Sequence, residues 1–236
     1  MSNILYFDTI NSTNTYLKDN YKNLNNLTSV VAHHQTNGKG RLGRMWLDQD
    51  DLLMSILIKE EIINFDLLSL LMASVIYKVL SKYVNNIKIK WPNDIVISNK
   101  KICGILLEGV SSKRIEAIII GFGINANTTY FNKEIINKAT SLYLETKNKI
   151  DIKKLSQEIY DKFVIEFDLF KENKSDYLEM NRKNSNVIGE LIKYTENDKE
   201  YIAKVVDILD NGHLKLLIDN KYLEKSFGEI SLHNNY

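Results

Sequence analysis

Length, composition and charge limit the kinds of protein that this sequence can encode. Its 236 residues suffice for one large domain, or for a medium domain with a small one appended. A net charge of +1, with 44% hydrophobic and 26% charged residues, argues for an ordinary globular protein and against a general nucleic-acid or membrane-surface binder. The single cysteine excludes an internal disulfide framework and a cysteine zinc site.

Both strands and helices are predicted along residues 1–184. The N-terminus has no basic start followed by an apolar run, so we expect no signal peptide and a cytoplasmic protein. Side-chain oxygens at residues 12–14 can cap a short first helix. The most apolar stretch, 65–80, is too short and too polar to span a bilayer and predicts a buried helix. In chain order, hydrophobic periodicity predicts strands at 3–8, 28–35, 52–59, 87–91, 94–98, 101–109 and 114–121, and helices ending at 21, spanning 65–84 and spanning about 151–172.

After residue 184 the pattern changes to short strands joined by tight turns. Asp210-Asn211-Gly212 is a strong hairpin signal. The spacing fits a small β-barrel of the SH3 type, which places a domain boundary near 184 and predicts a second domain at 185–236. The predicted strands of this domain span 189–194, 201–208, 213–218 and 222–227.

A glycine-rich basic loop is the most distinctive segment of the chain. Residues 38–46 read GKGRLGRMW. The glycines let backbone N–H groups approach a ligand without a Cβ in the way, and the three cations add positive charge, so the segment is a candidate anion cradle. It is not a P-loop, because the GxxxxGK[ST] spacing is absent. A flexible basic surface loop explains the same pattern equally well.

Three further segments carry weaker signals. In KWPND, residues 90–94, Pro92 ends a strand and presents Asn93 and Asp94 where the strand meets a loop, although a tight turn is the simpler interpretation. In GFGIN, residues 121–125, glycines after a buried strand permit close backbone approach, although an ordinary glycine turn has the same composition.

The remaining segment, KICGILLE, contains a lysine at the start of an apolar strand. Strand alternation predicts Lys101 and Cys103 on one face, and Ile102 and Gly104 on the other. Lys101 is either a surface lysine with a buried stem or a ligand for a carboxylate or phosphate. Cys103 is interpreted as a small core residue and not as a nucleophile, because nothing beside it would lower the pKa of its thiol.

In this order, the four segments closely resemble the signature of the biotin protein ligase family. That signature is a GRGRxGRxW loop, then KWPND, then a KxxGIL(x)E strand and a GxGIN turn; this sequence has GKGRLGRMW, KWPNDI, KICGILLE and GFGIN. Ser12-Thr13-Asn14, Gln35 and the ATSL segment at 139–142 match as well, so the resemblance runs from about residue 5 to the C-terminal barrel. Lys39 departs from the usual arginine: it keeps the charge but loses the bidentate fork.

The resemblance implies a fold and a reaction. The expected fold is α+β, a mixed β-sheet catalytic domain flanked by helices, as in class II aminoacyl-tRNA synthetases and biotin ligases, with a small C-terminal SH3-like β-barrel. The expected enzyme uses ATP and Mg²⁺ to form biotinyl-5′-AMP and transfers biotin to a lysine of a biotin carboxyl carrier protein. Because the chain begins directly at the catalytic domain, we expect a monofunctional ligase, monomeric or homodimeric, that binds no nucleic acid.

The resemblance also implies roles for individual residues. Arg41, Lys101 and Asp94 are the expected catalytic residues. The residues expected to bind biotin are Ser12, Thr13, Asn14, Gln35, Lys39, Gly40, Arg41, Lys101 and Gly104. Those expected to bind the nucleotide are Arg44, Trp46, Asn93 and Asn125. No protein cage is expected for Mg²⁺, which would arrive with ATP near Asn93, Asp94 and Asn125.

The first step of such a reaction joins two anions, so its barrier is largely electrostatic. At ~4 Å and an effective dielectric near 20, one charge pair is worth roughly 4 kcal/mol. Several cations and preorganised N–H groups are therefore sufficient, and no protein nucleophile is required. This reasoning requires Arg41 and Lys101 to converge in the folded chain.

Two other functions remain open from the sequence. One is a related acyl-adenylate ligase for lipoate or another small carboxylic acid, which the complete glycine loop disfavours. The other is a non-catalytic module, in which a basic loop and an SH3-like barrel contact RNA or protein. The near-neutral charge and the ordered set of four motifs disfavour the second function.

Overall fold

The chain folds into a strand-and-helix region followed by five short strands. The computed structural model describes residues 3–46, 49–62, 64–111, 114–196, 199–226, 228 and 230–233. In chain order, the elements are β1 (Ile4–Ile10), α1 (Thr13–Asn20), β2 (Ser29–Gln35), β3 (Leu52–Ile58), α2 (Leu67–Leu80), β4 (Ile87–Lys90), β5 (Asp94–Ile97), β6 (Lys100–Ser111), β7 (Ile115–Ile124), α3 (Leu142–Thr146), α4 (Ile152–Lys171), α5 (Tyr177–Lys183), β8 (Leu191–Glu196), β9 (Lys199–Ile208), β10 (Leu214–Ile218), β11 (Lys221–Lys225) and β12 (Ile230–Leu232).

Each predicted strand and helix is present, with ends shifted by a few residues. The predicted strand at 222–227 corresponds to β11, but its last residue, Phe227, lies outside the described residues. Three short elements, α3, α5 and β12, were not predicted. They have five, seven and three residues, too few for a hydrophobic period to show.

The first seven strands form one mixed sheet in the order β1-β2-β3-β7-β6-β5-β4. Only β1 and β2 run parallel; the other neighbours in this sheet are antiparallel. The predicted α+β class is therefore confirmed. The central strands β3, β7, β6 and β5 carry or adjoin the four sequence motifs, which places these motifs side by side.

β3 is apolar along its whole length because both faces of the sheet are covered. Met54 and Ile56 belong to the main core, to which α2 and α4 contribute. Leu57 belongs to a second cluster on the opposite face, with Leu17 of α1. Ser55 shares this second face with Leu57, since alternate residues of a strand point the same way. The face under α1 therefore carries both a small apolar cluster and polar side chains.

The last five strands form a second, antiparallel sheet in the order β11-β10-β9-β8-β12. Among the described residues, the pairing does not join β11 to β12. This sheet is fastened to the first region at β4 and α5. Trp91 donates its indole N–H to Gly212 O at 2.8 Å, and the Arg182 side chain bonds to Ile208 O at 2.6 Å and to Asp210 at 2.7 Å.

Within the described part of the chain, no helix is long and apolar enough to cross a bilayer.

Candidate active site

The glycine-rich loop folds back on itself between β2 and β3. Gly40 N donates to Arg44 O at 2.7 Å, and Trp46 N donates to Gly38 O at 3.0 Å. At its tip, Leu42 and Gly43 have φ values of 55° and 71°, a left-handed pair that reverses the chain. The tip is exposed, so the segment is a narrow hairpin that holds Arg41 at its start.

Arg41 and Lys101 converge on two consecutive residues of the KWPND motif. Arg41 Nη1 donates to Asn93 Oδ1 at 2.8 Å, and Lys101 Nζ lies 2.7 Å from Asp94 Oδ1. Asn93 is held in turn by β6, because its amide donates to Ile105 O at 2.8 Å. The structure therefore places Arg41 and Lys101, which are 60 residues apart in sequence, on two neighbouring residues of one motif.

Three glycines form a floor beneath the hairpin. A Cβ at Gly121 would lie 2.0 Å from the side-chain oxygen of Asn14, and one at Gly123 would lie 2.4 Å from the Trp46 ring. A Cβ at Gly104 would lie 2.7 Å from Lys101 Nζ. These distances are shorter than van der Waals contact, so each glycine makes room for a side chain of the site.

The predicted alternation of Lys101 and Gly104 is wrong. The two residues were expected on opposite faces, yet the Lys101 ammonium lies directly over Gly104. The cause is an irregularity in β6: Ile95 pairs with Cys103 but Val96 pairs with Lys101, so β6 has one extra residue there. Such a bulge reverses the alternation beyond it. Both Ile102 and Cys103 are consequently buried.

Trp46 completes the wall beside Lys101. The Lys101 ammonium lies 5.6 Å from the centre of the Trp46 ring, within the range of a cation–π contact. Trp46 Nε1 is buried and has no hydrogen-bond partner among the described residues. Trp46 was assigned to the nucleotide, but it lies on the glycine floor next to the residues assigned to biotin.

A chain of buried and partly buried polar side chains lies on the α1 face of the sheet. Gln35 Oε1 accepts from Thr13 N at 2.7 Å and from the Thr13 hydroxyl at 3.0 Å. Ser55 Oγ lies 2.6 Å from Thr13 Oγ1 and 2.5 Å from Asn14 Oδ1. Asn14 Nδ2 donates to Glu108 at 2.7 Å. Sequence reasoning singled out Thr13, Asn14 and Gln35. It assigned no role to Glu108, although Glu108 ends the KICGILLE segment, and it did not identify Ser55.

The predicted capping of α1 is wrong in its chemistry. Ser12 is the N-cap residue and is buried, but its side chain makes no capping hydrogen bond. The side chain of Gln35, from the neighbouring strand, accepts the free N–H of Thr13 instead. A partner distant in sequence therefore satisfies the helix end, which local reasoning does not detect.

Asn125 connects β7 to the ATSL segment and to Lys101. Its side-chain amide donates to Thr140 O at 3.0 Å and to Lys101 O at 3.4 Å. Lys101 is also paired through its backbone, with its N–H on Lys138 O and its carbonyl accepting from Thr140 N. Asn125 thus holds the backbone from which the Lys101 side chain projects.

Asp51, which directly precedes β3, is a functional candidate that sequence reasoning did not identify. It is 2% exposed, and its Oδ1 accepts from Ala126 N at 2.7 Å and from Asn127 N and Thr128 N at 3.1 Å each. Its other oxygen accepts from the Thr128 hydroxyl. Burial raises the pKa of the Asp51 carboxyl above its ordinary value, although these hydrogen bonds oppose the shift.

The remaining predicted site residues are more exposed. Lys39 Nζ lies 3.4 Å from the Thr15 hydroxyl in the first turn of α1. Gly40 shapes the hairpin through its bond to the Arg44 carbonyl. Arg44 is exposed and faces a cleft of about 340 Å³ between the hairpin and the second sheet. The charged residues of this cleft are Arg41, Arg44, Lys90, Lys193, Asp94 and Glu200.

The side chains predicted near Mg²⁺ differ in what they can offer a cation. Asn93 uses its oxygen for Arg41, and Asn125 uses its amide for backbone carbonyls. Asp94 provides a carboxylate beside the cleft. In the described ranges, no group of three or more His, Cys, Asp or Glu could hold a metal ion. A cation held mostly by phosphates, with one carboxylate nearby, fits the ordinary coordination of Mg²⁺.

Cys103 is not placed for nucleophilic chemistry. It is fully buried, and this burial raises the pKa of its thiol far above the ordinary value. The interpretation of Cys103 as a core residue agrees with this environment.

Similarity to known proteins points to one family. The model of the Biotin/lipoate A/B protein ligase family matches residues 6–125. The bifunctional ligase/repressor BirA of Salmonella typhimurium is 32% identical over 241 residues, covering 98% of this chain and 74% of that protein. The Biotin--[acetyl-CoA-carboxylase] ligase of Paracoccus denitrificans is 30% identical over 103 residues, covering 41% of this chain and 43% of that protein. The structure of the biotin protein ligase from Aquifex aeolicus in complex with biotin and ATP matches with a TM-score of 0.88 and 30% identity, covering 100% of both chains.

Proposed function

The chain belongs to the Biotin/lipoate A/B protein ligase family, and on this premise we propose how its residues carry out ATP-dependent biotin ligation. Its substrates are biotin and ATP. In the first step the carboxylate of biotin attacks the α-phosphate of ATP, which gives biotinyl-5′-AMP and releases pyrophosphate. In the second step a lysine amine of an acceptor protein attacks the acyl-adenylate, and AMP leaves.

The observation that carries the proposed mechanism is the convergence of Arg41 and Lys101 on neighbouring residues. Lys101 binds the biotin carboxylate and the bridging oxygen of the phosphate. Arg41 stabilises the negative charge that develops at the α-phosphate. Their charges lower the electrostatic barrier between two anions, and the fixed positions of both groups avoid reorganisation during the reaction.

Asp94 acts as the partner of Lys101 while the site contains no substrate. The biotin carboxylate displaces Asp94 from the Lys101 ammonium, because both are carboxylates and compete for the same donor. Once displaced, Asp94 accepts a proton from the incoming lysine amine in the second step. General base catalysis of this kind requires a carboxylate within hydrogen-bonding reach of the amine.

Biotin lies with its ring system on the α1 face of the sheet. Thr13, Gln35 and Ser12 bind the ring and its ureido group, and Asn14 and Gly104 shape the pocket. Lys39 and Gly40 close over the ligand. Asn14 acts mainly by orientation, since both polar atoms of its side chain already bond to Ser55 and Glu108.

The phosphates of ATP occupy the cleft beside Arg44 and Asp94. Arg44, Asn93 and Asn125 organise the nucleotide side of the site, and Trp46 forms the wall beside Lys101 where the carboxylate and the α-phosphate meet. Asp94 is the carboxylate that would lie beside Mg²⁺ brought in with ATP, and the cation would supply charge neutralisation for the triphosphate and the departing pyrophosphate. We assign the larger region, 1–184, to catalysis and propose that 185–236 form an SH3-like barrel that borders this cleft.

The acceptor is the biotin domain of a carboxylase, presented as a biotin carboxyl carrier protein. The acceptor lysine of such a domain is the nucleophile, and its amine must reach the acyl-adenylate from solvent. We further propose that the enzyme acts in the cytoplasm, where ATP and carboxylases are available.

The direct test incubates the protein with ATP, Mg²⁺ and one radiolabelled acid at a time, choosing biotin, lipoate and octanoate. Of the three acids, only biotin is expected to give a tightly held adenylate and to release pyrophosphate. Adenylate formed from lipoate or octanoate at a comparable rate would instead identify a ligase for another acid. No adenylate with any acid would refute the proposed function.

A further inference from the structure

The buried carboxylate of Asp51 connects the segment before β3 with the turn after β7, which follow different sequence motifs. Asp51 directly precedes β3 and, in sequence, follows the hairpin that carries Arg41. The N–H groups that it accepts belong to Ala126, Asn127 and Thr128, the three residues that follow Asn125 after β7. Asn127 N also donates to Asp50 O at 3.2 Å, but Asp51 is the acceptor for the N–H groups of Ala126 and Thr128. Because these two donors would lose that acceptor without the carboxylate, the contact holds both segments in one relative position.

The turn after β7 is in turn connected to Lys101. Asn125 donates its backbone N–H to Ile102 O at 2.9 Å and its side-chain amide to Lys101 O. The Lys101 carbonyl also accepts from Thr140 N at 2.9 Å. A continuous set of hydrogen bonds therefore runs from Asp51 through this turn to the backbone of Lys101.

We propose that Asp51 is a positioning residue for adenylate formation, which keeps the loop of Arg41 aligned with the strand of Lys101. This inference rests on the proposed roles of Arg41 and Lys101. The residues assigned to the biotin ring form a separate group, since Thr13 and Gln35 bond to each other and to Ser55. Loss of Asp51 therefore lowers the rate of adenylate formation by more than it weakens the binding of biotin, because the contacts assigned to the biotin ring are kept.

The substitution Asp51→Asn shows whether the hydrogen bonds of Asp51 or its negative charge matter. In Asp51→Asn, the side-chain oxygen still accepts from the three N–H groups, and the new amide donates to the Thr128 hydroxyl, which can accept. In Asp51→Ala, all of these bonds are lost. The matched control is Asp50→Ala, which removes a carboxylate from the next residue; Asp50 is partly exposed and pairs with Lys149 at 2.9 Å.

The experiment measures biotin affinity by calorimetry without ATP, and the single-turnover rate of biotinyl-adenylate formation with ATP and Mg²⁺. For Asp51→Ala we expect a rate lower by about tenfold to a hundredfold, as for a small misplacement of reacting groups, with biotin affinity within about twofold of wild type. Asp51→Asn is expected to recover most of the rate, and Asp50→Ala to match wild type. If Asp51→Ala does not fold, Thr128→Val, which removes one of the bonds, is expected to give a smaller loss in the same direction.

Three outcomes would overturn the inference: a rate within about twofold of wild type for both Asp51→Ala and Thr128→Val, a parallel loss of biotin affinity and rate, or no recovery in Asp51→Asn. Failure of the proposed function is distinguishable, because the wild-type protein would then form no adenylate in the same assay.

Discussion

Each glycine of the floor lies under a particular side chain of the site. Gly121 lies under Asn14, Gly123 under Trp46, and Gly104 under the Lys101 ammonium. The sequence indicated close backbone approach by a ligand at Gly121 and Gly123, but not at Gly104. The structure adds that protein side chains already use this space, so the glycines also determine where the ligand-binding side chains lie.

Gly121→Ala should displace Asn14 and weaken biotin binding. The new Cβ would lie 2.0 Å from Asn14 Oδ1, and Ser55 and Glu108 restrain that side chain from moving away. We expect a loss of stability of about 1–3 kcal/mol, typical of overpacking, and a weaker affinity for biotin. Urea denaturation and calorimetry measure the two effects.

Gly109→Ala is the matched control. Gly109 also lies in a strand of the same sheet, but a Cβ at this position would have no heavy atom within 4 Å. Gly109→Ala is expected to preserve both stability and affinity. Equal behaviour of the two variants would contradict the steric account of Gly121.

At the scale of elements, a buried ion network connects the helices that cover the sheet. Glu166 of α4 is 3% exposed and accepts from Lys78 of α2 at 2.8 Å and from Lys162 at 2.9 Å. Lys78 also pairs with Asp176 at the start of α5. Burial by itself would raise the pKa of the Glu166 carboxyl, but the two ammonium groups more than offset it and hold the pKa below its ordinary value.

This lowered pKa gives the Glu166 network a defined dependence on pH. When the pKa of a carboxyl is lower in the folded state, its ionisation stabilises the fold at pH values above the ordinary pKa of 4.5. This contribution is lost as the pH falls through the lowered pKa. Glu166→Gln should therefore reduce the free energy of unfolding by about 2 kcal/mol at neutral pH. The difference in unfolding free energy between Glu166→Gln and wild type should shrink in acid. Urea denaturation at neutral pH and at a pH below 4.5 measures this change. A difference that is unchanged in acid would show that the charge of Glu166 is not the cause.

Most elements were predictable because their hydrophobic period is long enough to be recognised. β3 was predicted as a strand from its apolar run, and the two cores on either side of it explain why no polar alternation interrupts that run. The extra residue in β6 was not predictable, since a bulge is set by the register with β5 and leaves no trace in composition. The contact of Gln35 with the N-terminal end of α1 and the contacts of Asp51 were not predictable either, because their partners are distant in sequence.

At the scale of the whole molecule, the two sheets meet beside the candidate site. The main core contains buried residues from both regions, such as Ile89 of β4 and Val205 of β9. The cleft between the hairpin and the second sheet is lined by residues of both, including Arg44 and Lys193. Positive charge is thus concentrated at the junction, although the chain as a whole is nearly neutral.

The central claim is that Arg41 and Lys101 act together on two anionic substrates. The most direct measurement is the single-turnover rate of biotinyl-adenylate formation in Arg41→Ala, Lys101→Ala and the exposed-lysine control Lys88→Ala, alongside the melting temperature of each. We predict that each of the first two variants loses at least about a hundredfold in rate, in keeping with one charge pair worth roughly 4 kcal/mol, with little change in melting temperature. Lys88→Ala should match wild type. Rates within about twofold of wild type for Arg41→Ala and Lys101→Ala, or losses that only follow a loss of folded protein, would contradict the claim.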